Sequence, residues 1–472
     1  MTSKVRAWAM EQFGAADLGD VRRKRRLLEM AEGAARRPAG KVSAVFTRSK
    51  EREGAYDFLE SPHAPTAAFA ESMFMATAFR ARGEGAIYVP IDLTSLSLTD
   101  LEEEKFGPIG SPNRPVRGLM VANAFAVAMD GVPLGLIDQQ YWMRDETETL
   151  AKNQRTERNR RRPFEDKQGS RFTSAAENTV RRLQEAGAVP WVIIDREADN
   201  RDIIFRLMEL KCAFTVRASW DRKIGDADST ITIRDQLASE PILCTTEVTL
   251  PRNGKRPART VMLDVRATRA AIRFDRYNQA SLELFAVLVR EKGRRGDKRE
   301  PLDWLLYTNV PILDADAALK IVAAYRARWR IEEFHRTWKS GACNVETAQL
   351  RSFDAVAKWA TILSAVATRI ERLKYLARNE PLAPATIELE PIEIEALLVE
   401  RQARVGRDVK LPKKLKIGVA TAWIAEMGGW MGEKTSGPPG SVTIARGLQV
   451  LAIYTRALVD VRTGKAPPTP PG

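Results

Sequence analysis

Two apolar runs end on a bare aspartate, YVPID at residues 88–92 and WVIID at residues 191–195. A carboxylate that follows buried strand residues is costly unless something pairs with it. Its double occurrence therefore limits what this chain can fold into. Both runs read as buried strands, with Asp92 near the end of the first and Asp195 at the end of the second.

The segments between and beyond them set the order. GLMVANAFAVAMDGVPLGLIDQQYWM holds two apolar runs around Asp130-Gly131, a two-residue hairpin signal. An arginine-rich loop follows, with Arg155, Arg158, Arg160, Arg161 and Arg162, and then FTSAAENTVRRLQEAG reads as a helix stopped by Gly187. WVIID is then the fourth strand and CAFTVRAS the fifth. Strand, hairpin, helix, strand, helix, strand, with acids at the ends of the first and fourth strands, is the order of an RNase H-like α/β core. Asp199 and Glu197, in DREAD, compete with Asp195 for the second acidic position, but Asp195 directly ends the apolar run. Asp130 and Asp138 read as turn and hairpin residues.

Around this core, residues 1–75 read as a short-looped helical module. Its basic helix carries Arg22, Arg23 and Arg26 after a plausible N-cap, Asp20. Such a helix suits DNA docking, and a solvated charged face gives nearly the same pattern. Residues of about 220–305 carry β-rich, turn-punctuated segments and read as an insertion. A long helix is expected from the N-cap Asp314 to just before Gly341, and from about 375 the chain is helical again up to a Pro-rich tail.

The long helix contains RWRIEEFHRTWKSG, residues 328–341. At about 100° per residue, Tyr325, Arg328, Glu332 and Lys339 fall within roughly 60° of arc. Ile331, Phe334 and Trp338 form an adjoining apolar stripe that would dock on a sheet. Glu333 lies beyond the far side of the cluster, facing solvent or pairing with an arginine. Asp92, Asp195 and Glu332 can then converge on hard cations such as Mg²⁺, two ions per site, with Mn²⁺ as a possible substitute. Such a pair activates a water or a 3′-hydroxyl for phosphodiester displacement. Arg328, Lys339 and Tyr325 would hold phosphate oxygens beside them.

Charge and composition fit a nucleic-acid partner. The 472 residues carry 75 Lys and Arg against 61 Asp and Glu, a net charge of +14. Two histidines and three scattered cysteines supply neither a zinc site nor His-based catalysis nor a disulfide framework, leaving the carboxylates. No run of eighteen apolar residues and no secretory signal is evident, so a soluble cytoplasmic, nucleoid-associated protein with no membrane partner is the expectation.

With these residues in place, the chain resembles the bacterial insertion-sequence DDE transposases that carry a Tyr-Arg-Glu-Lys signature. Tyr325, Arg328, Glu332 and Lys339 match it in spacing. Within that family the likeness is to the type found in the kanamycin-resistance composite transposon, which is used for tagmentation. IDLTSLS, IIDREAD, PLDWLL, AYRARWRIEEFH, EGAY at 53–56, KRPAR and IAEMGGWM continue the match over nearly the whole chain.

The resemblance implies an end-binding domain at 1–75, an RNase H-like catalytic domain at 76–375 with a β insertion, and a helical dimerisation domain at 376–472. It implies cut-and-paste transposition by a homodimer acting on double-stranded DNA, both terminal inverted repeats and target. Asp92, Asp195 and Glu332 become the metal ligands. Trp304 matches a tryptophan that stacks where a base has flipped out, although a core aromatic would fit PLDWLLYT as well. Arg217 matches a DNA-contacting position, and Arg22, Arg23 and Arg26 match end-binding ones. The chain departs from the family in its arginine-rich loop at 155–162, in Asp57 after EGAY, and in the C-terminal segment up to about 415. A catalytically inactive DNA-binding derivative and a stand-alone nuclease of the same fold are the alternatives.

Overall fold

The structure is a computed structural model. It describes residues 4–100, 105–109, 116–144, 153–154, 157, 161–226, 228–250, 259–274, 280–293, 301–406 and 410–464. Arg155, Arg158 and Arg160 of the basic loop, most of KRPAR and the Pro-rich tail lie outside the described residues.

One ten-stranded sheet organises the middle of the chain. Strand β1 (Ala86–Ser97) lies between β3 (Arg117–Ala128), antiparallel to it, and β5 (Val189–Ile194), parallel to it. The short β2 (Gly107–Pro108) and β4 (Pro133–Trp142) pair with β3, and β6 (Ala213–Arg217) runs parallel to β5. The expected hairpin turns at Asp130-Gly131, with Gly131 at φ +95° and Asp130 Oδ1 accepting from Val132 N at 3.0 Å. Helices α6 (Ser170–Glu185) and α7 (Arg201–Glu209) connect the hairpin to β5 and β5 to β6. This is the mixed sheet with flanking helices of an RNase H-like core.

Asp92 corrects one expectation. It sits inside β1, not near its end, because residues 92–97 keep pairing with β3 after the parallel pairing with β5 has stopped at Ile91↔Ile194. That shared last pair matters for the site: Asp92 and Asp195 are the next residues on adjacent strands.

The β-rich region continues the same sheet. β10 (Asp303–Thr308) pairs antiparallel with β6, and β9 (Ser281–Glu291), β8 (Arg259–Arg273) and β7 (Cys244–Leu250) follow outward. PLDWLLYT therefore belongs to the strand that joins this region to the core.

The long helix is two. Asp314 caps the first, accepting from Ala317 N at 2.8 Å, and this helix, α9 (Ala315–Ala327), ends at Arg328. The second, α10 (Trp329–Lys339), starts there. Arg328 N bonds Tyr325 O, and Ile331 N bonds Arg328 O, so a tightened turn of i to i+3 bonds separates the helices. Ile331, Phe334 and Trp338 are fully buried as the stripe predicted. Phe334 stacks on Phe125 of β3 at 5.0 Å, and the Trp338 indole donates to Ala360 O at 2.9 Å.

Ala360 belongs to α11 (Phe353–Asn379), a helix buried on nearly every side and hydrophobic without a clean stripe. The boundary expected near residue 375 falls inside it. Beyond it come α12 (Pro391–Val405), α13 (Ile417–Met427), the single turn α14 (Glu433–Ser436) and α15 (Ser441–Arg462). Helices α13 and α15 cross at Gly447, where a Cβ would meet Ile424 O at 1.7 Å, so only glycine permits the approach. By length and composition, α15 is the one helix among the described residues apolar enough to cross a membrane, a criterion that soluble core helices also meet.

Candidate active site

Asp92, Asp195 and Glu332 line one polar cleft of about 470 Å³, together with Thr94, Glu197, His335, Lys339 and Glu346. The sheet register brings the two aspartates side by side, and the stripe that docks α10 on β3 turns Glu332 toward them.

Within the cleft, ligand atoms of Asp92, Glu332 and His335 lie within 4.8 Å of one another. Burial first, and then the Glu332 charge, push the Asp92 carboxyl up to about 7. Two carboxylates held this close repel each other unless a proton or a cation stands between them. Oxygen donors in a polar cleft fit a hard divalent cation. Asp195 lies outside the 4.8 Å group, although its charge also raises the Asp92 pKa.

Asp195 has its own partners. Its Oδ1 accepts from Tyr325 Oη at 2.9 Å and lies 3.7 Å from the Arg217 guanidinium, while Arg328 Nη2 stands 3.5 Å from Oδ2. Burial works to raise its pKa, but Arg328, the Arg196 backbone N–H, Tyr325 and Arg217 together hold it below the usual carboxylate value. Burial and the Asp195 charge push Tyr325 up to about 12, so it stays a donor. Arg328 also bonds Glu332 at 3.1 Å, which makes its buried guanidinium a bridge between two of the three acids. Lys339 completes the predicted face, donating to Thr94 at 3.1 Å.

Of the competitors for the second acidic position, Asp199 has a separate role and Glu197 shares the cleft. Asp199 accepts from Ser219 N and Trp220 N and pairs with Arg222, so it ties down the turn after β6. Glu197 lines the cleft without such a role. Asp138 is buried in an ion pair with Arg182 at 2.8 Å. Glu333 pairs with Arg330 at 2.5 Å, on the side away from the cleft residues. Glu333→Gln should therefore cost less than about 1 kcal/mol of stability and leave cleavage intact. Unfolding curves and cleavage rates check this, and a loss as severe as that of Glu332→Gln would overturn the assignment of faces.

Residues 166–369 match the family described as "Transposase DDE domain", and residues 5–64 match "Transposase DNA-binding". The chain carries both of these transposase domains. The DDE match spans Asp195 and Glu332 but begins after Asp92, whose place rests on the sheet register.

In the DDE domain, Trp304 on β10 is 8% exposed and meets Tyr325 edge-on at 5.1 Å. It thus packs as a core aromatic while touching the acid-holding tyrosine. Arg217, at the end of β6, also reaches Asp303 O at 3.5 Å. In the DNA-binding domain, α1 (Lys4–Phe13), α2 (Val21–Arg36), α3 (Val42–Val45) and α4 (Ser49–Glu60) pack together. Asp20 caps α2, accepting from Arg22 N at 2.7 Å. Arg22 is exposed, whereas Arg23 bonds Leu18 O at 3.0 Å, and Arg26 reaches Gly54 O and Glu29. Two of the three arginines read as docking residues thus also hold the module together.

His335 is a cleft residue that the sequence pattern did not single out. The histidine count argued against His chemistry, yet His335 lies one helical turn after Glu332 and faces the same cleft, with Nδ1 3.5 Å from Asp92 Oδ2. Burial and the charges of Lys339 and Arg328 lower its pKa to about 3, so it is neutral. The spacing Glu332-x-x-His335 on the cluster-bearing helix was the available signal.

Proposed function

We propose that the chain is a cut-and-paste DNA transposase of the composite-transposon type, acting through a hairpin intermediate. The convergence of Asp92, Asp195 and Glu332 on one cleft, beside three phosphate-seeking side chains, carries this reading. Asp92 and Glu332, with Asp195 beside them, are the residues that would hold Mg²⁺ or Mn²⁺. A divalent cation there supplies a more acidic water and charge stabilisation for the leaving oxygen.

The chain's own groups do the rest. Tyr325 orients Asp195 and stays protonated. Arg328 neutralises Asp195 and Glu332 in the resting site and offers its guanidinium to an incoming phosphate. Lys339 stands at the cleft wall as a second phosphate contact. Trp304, against Tyr325, would stack on the nucleotide exposed when a base leaves the helix. The DNA-binding domain would engage the terminal repeats through α2. The exposed Ile453, Tyr454 and Val461 on α15 give an apolar face that suits a second copy of the chain in a synaptic dimer.

Incubating the protein with its flanking terminal repeats and Mg²⁺ tests the proposal. Nicks, then hairpins, then joined products are expected, and end binding should weaken steeply with salt as counterions are released. Cleavage without joining would indicate a nuclease, and binding without cleavage an inactive derivative.

A further inference from the structure

A line of linked polar side chains leads to Asp92 through half-buried Tyr141 and then Thr361, Gln139, Asn123 and His335. Asn123 and Thr361 are fully buried, and Gln139 and His335 are nearly so. The Tyr141 and Thr361 hydroxyls lie 3.2 Å apart, and Thr361 donates to Gln139 Oε1 at 3.4 Å. Gln139 Nε2 donates to Asn123 Oδ1 at 2.9 Å, and Asn123 Nδ2 lies 3.0 Å from His335 Nε2. The function above uses none of these groups.

The line has a direction. Thr361 has one hydroxyl proton and gives it to Gln139, so it must accept from Tyr141. Asn123 uses its oxygen on Gln139, so it turns its amide nitrogen, a donor only, toward the imidazole. A neutral imidazole has one N–H and one bare nitrogen. Facing a donor, Nε2 must be the bare one, and Nδ1 carries the proton toward Asp92, 3.5 Å away. With Asp92 ionised, as a cation ligand must be, the reversed polarity would aim an imidazole lone pair at a carboxylate oxygen, and the two would repel.

We infer that His335 is a positioning residue for Asp92 and not itself a metal ligand, its tautomer being fixed by Asn123 and the chain of donors behind it. A nitrogen that carries a proton cannot bind a cation, so the cluster of Asp92, Glu332 and His335 offers oxygen donors alone. The Nδ1–H, 3.5 Å from Asp92 Oδ2, favours the carboxylate rotation that turns this oxygen to the imidazole and leaves the other for a cation. The inference rests on the reading of Asp92 as a cation ligand.

Two measurements test it, and the first needs no variant. The chain has only two histidines, and the other, His63, is exposed, so ¹⁵N spectra of histidine-labelled protein resolve His335. Nδ1 protonated and Nε2 bare is the expected result; the opposite tautomer overturns the inference. The second is Mn²⁺ affinity by electron paramagnetic resonance, with folding checked by thermal unfolding. His335→Asn keeps a donor near the Nδ1 position, and His335→Gln places its amide near Nε2. Affinity should fall about tenfold or more in His335→Gln and stay within about threefold of the parent in His335→Asn. Equal losses in both, no loss in His335→Gln, or a directly coordinated nitrogen signal on Mn²⁺ bound to the parent would each sink it. A parent that binds no Mn²⁺ removes the cation reading itself and this inference with it. Binding with the wrong tautomer removes the inference alone.

Discussion

Asp195→Asn is expected to lower strand cleavage about a thousandfold, roughly 4 kcal/mol of transition-state stabilisation, while DNA-end binding stays close to that of the parent. The substitution is nearly isosteric, and the sheet register that places residue 195 beside Asp92 is set by backbone bonds from β5 to β1 and β6. What disappears is the negative charge that Tyr325, Arg328 and Arg217 surround. Glu332→Gln should behave alike, since it removes the charge on the far side of Arg328. Single-turnover cleavage and a binding isotherm on the same preparation separate the two effects. Loss of binding in step with loss of cleavage would place these acids in DNA recognition or folding instead.

Asp138→Ala should act on the fold, costing about 3–5 kcal/mol of stability. Asp138 on β4 is 2% exposed, and its carboxylate accepts from Arg182 and Asn178 of α6 and from Gln140. Burial raises its pKa, against the pull of those donors. The alanine variant removes the buried carboxylate from the Arg182 guanidinium, leaving it Glu71, the Ile137 carbonyl and the Phe74 ring. Asp138→Asn keeps an acceptor and should cost less. Denaturant unfolding measures both. A stable Asp138→Ala protein that fails to cleave would make Asp138 a functional acid and contradict its assignment to the fold.

Asp195 and Asp92 show what was legible in the sequence. Asp195 ends an apolar run, and its place at the end of β5 follows from that run. Asp92 follows a similar run, but where β1 stops depends on β3, and no local pattern announces that pairing. The stripe of Ile331, Phe334 and Trp338 was readable because a helix repeats its face through local geometry. The tightened turn at Arg328 was not, since nothing in its composition breaks a helix. The all-round burial of α11 hid it for a related reason: a helix surrounded by protein needs no polar face. His335 escaped because a ledger of residue types asks how many histidines exist, whereas the site asks where one of them points.

The most direct measurement is anomalous diffraction from crystals soaked in Mn²⁺. Density is expected between the carboxylates of Asp92 and Glu332, with Asp195 turned toward it and His335 outside the coordination sphere. Mn²⁺ bound elsewhere, or no Mn²⁺ bound in the cleft when DNA ends are present, would contradict that expectation.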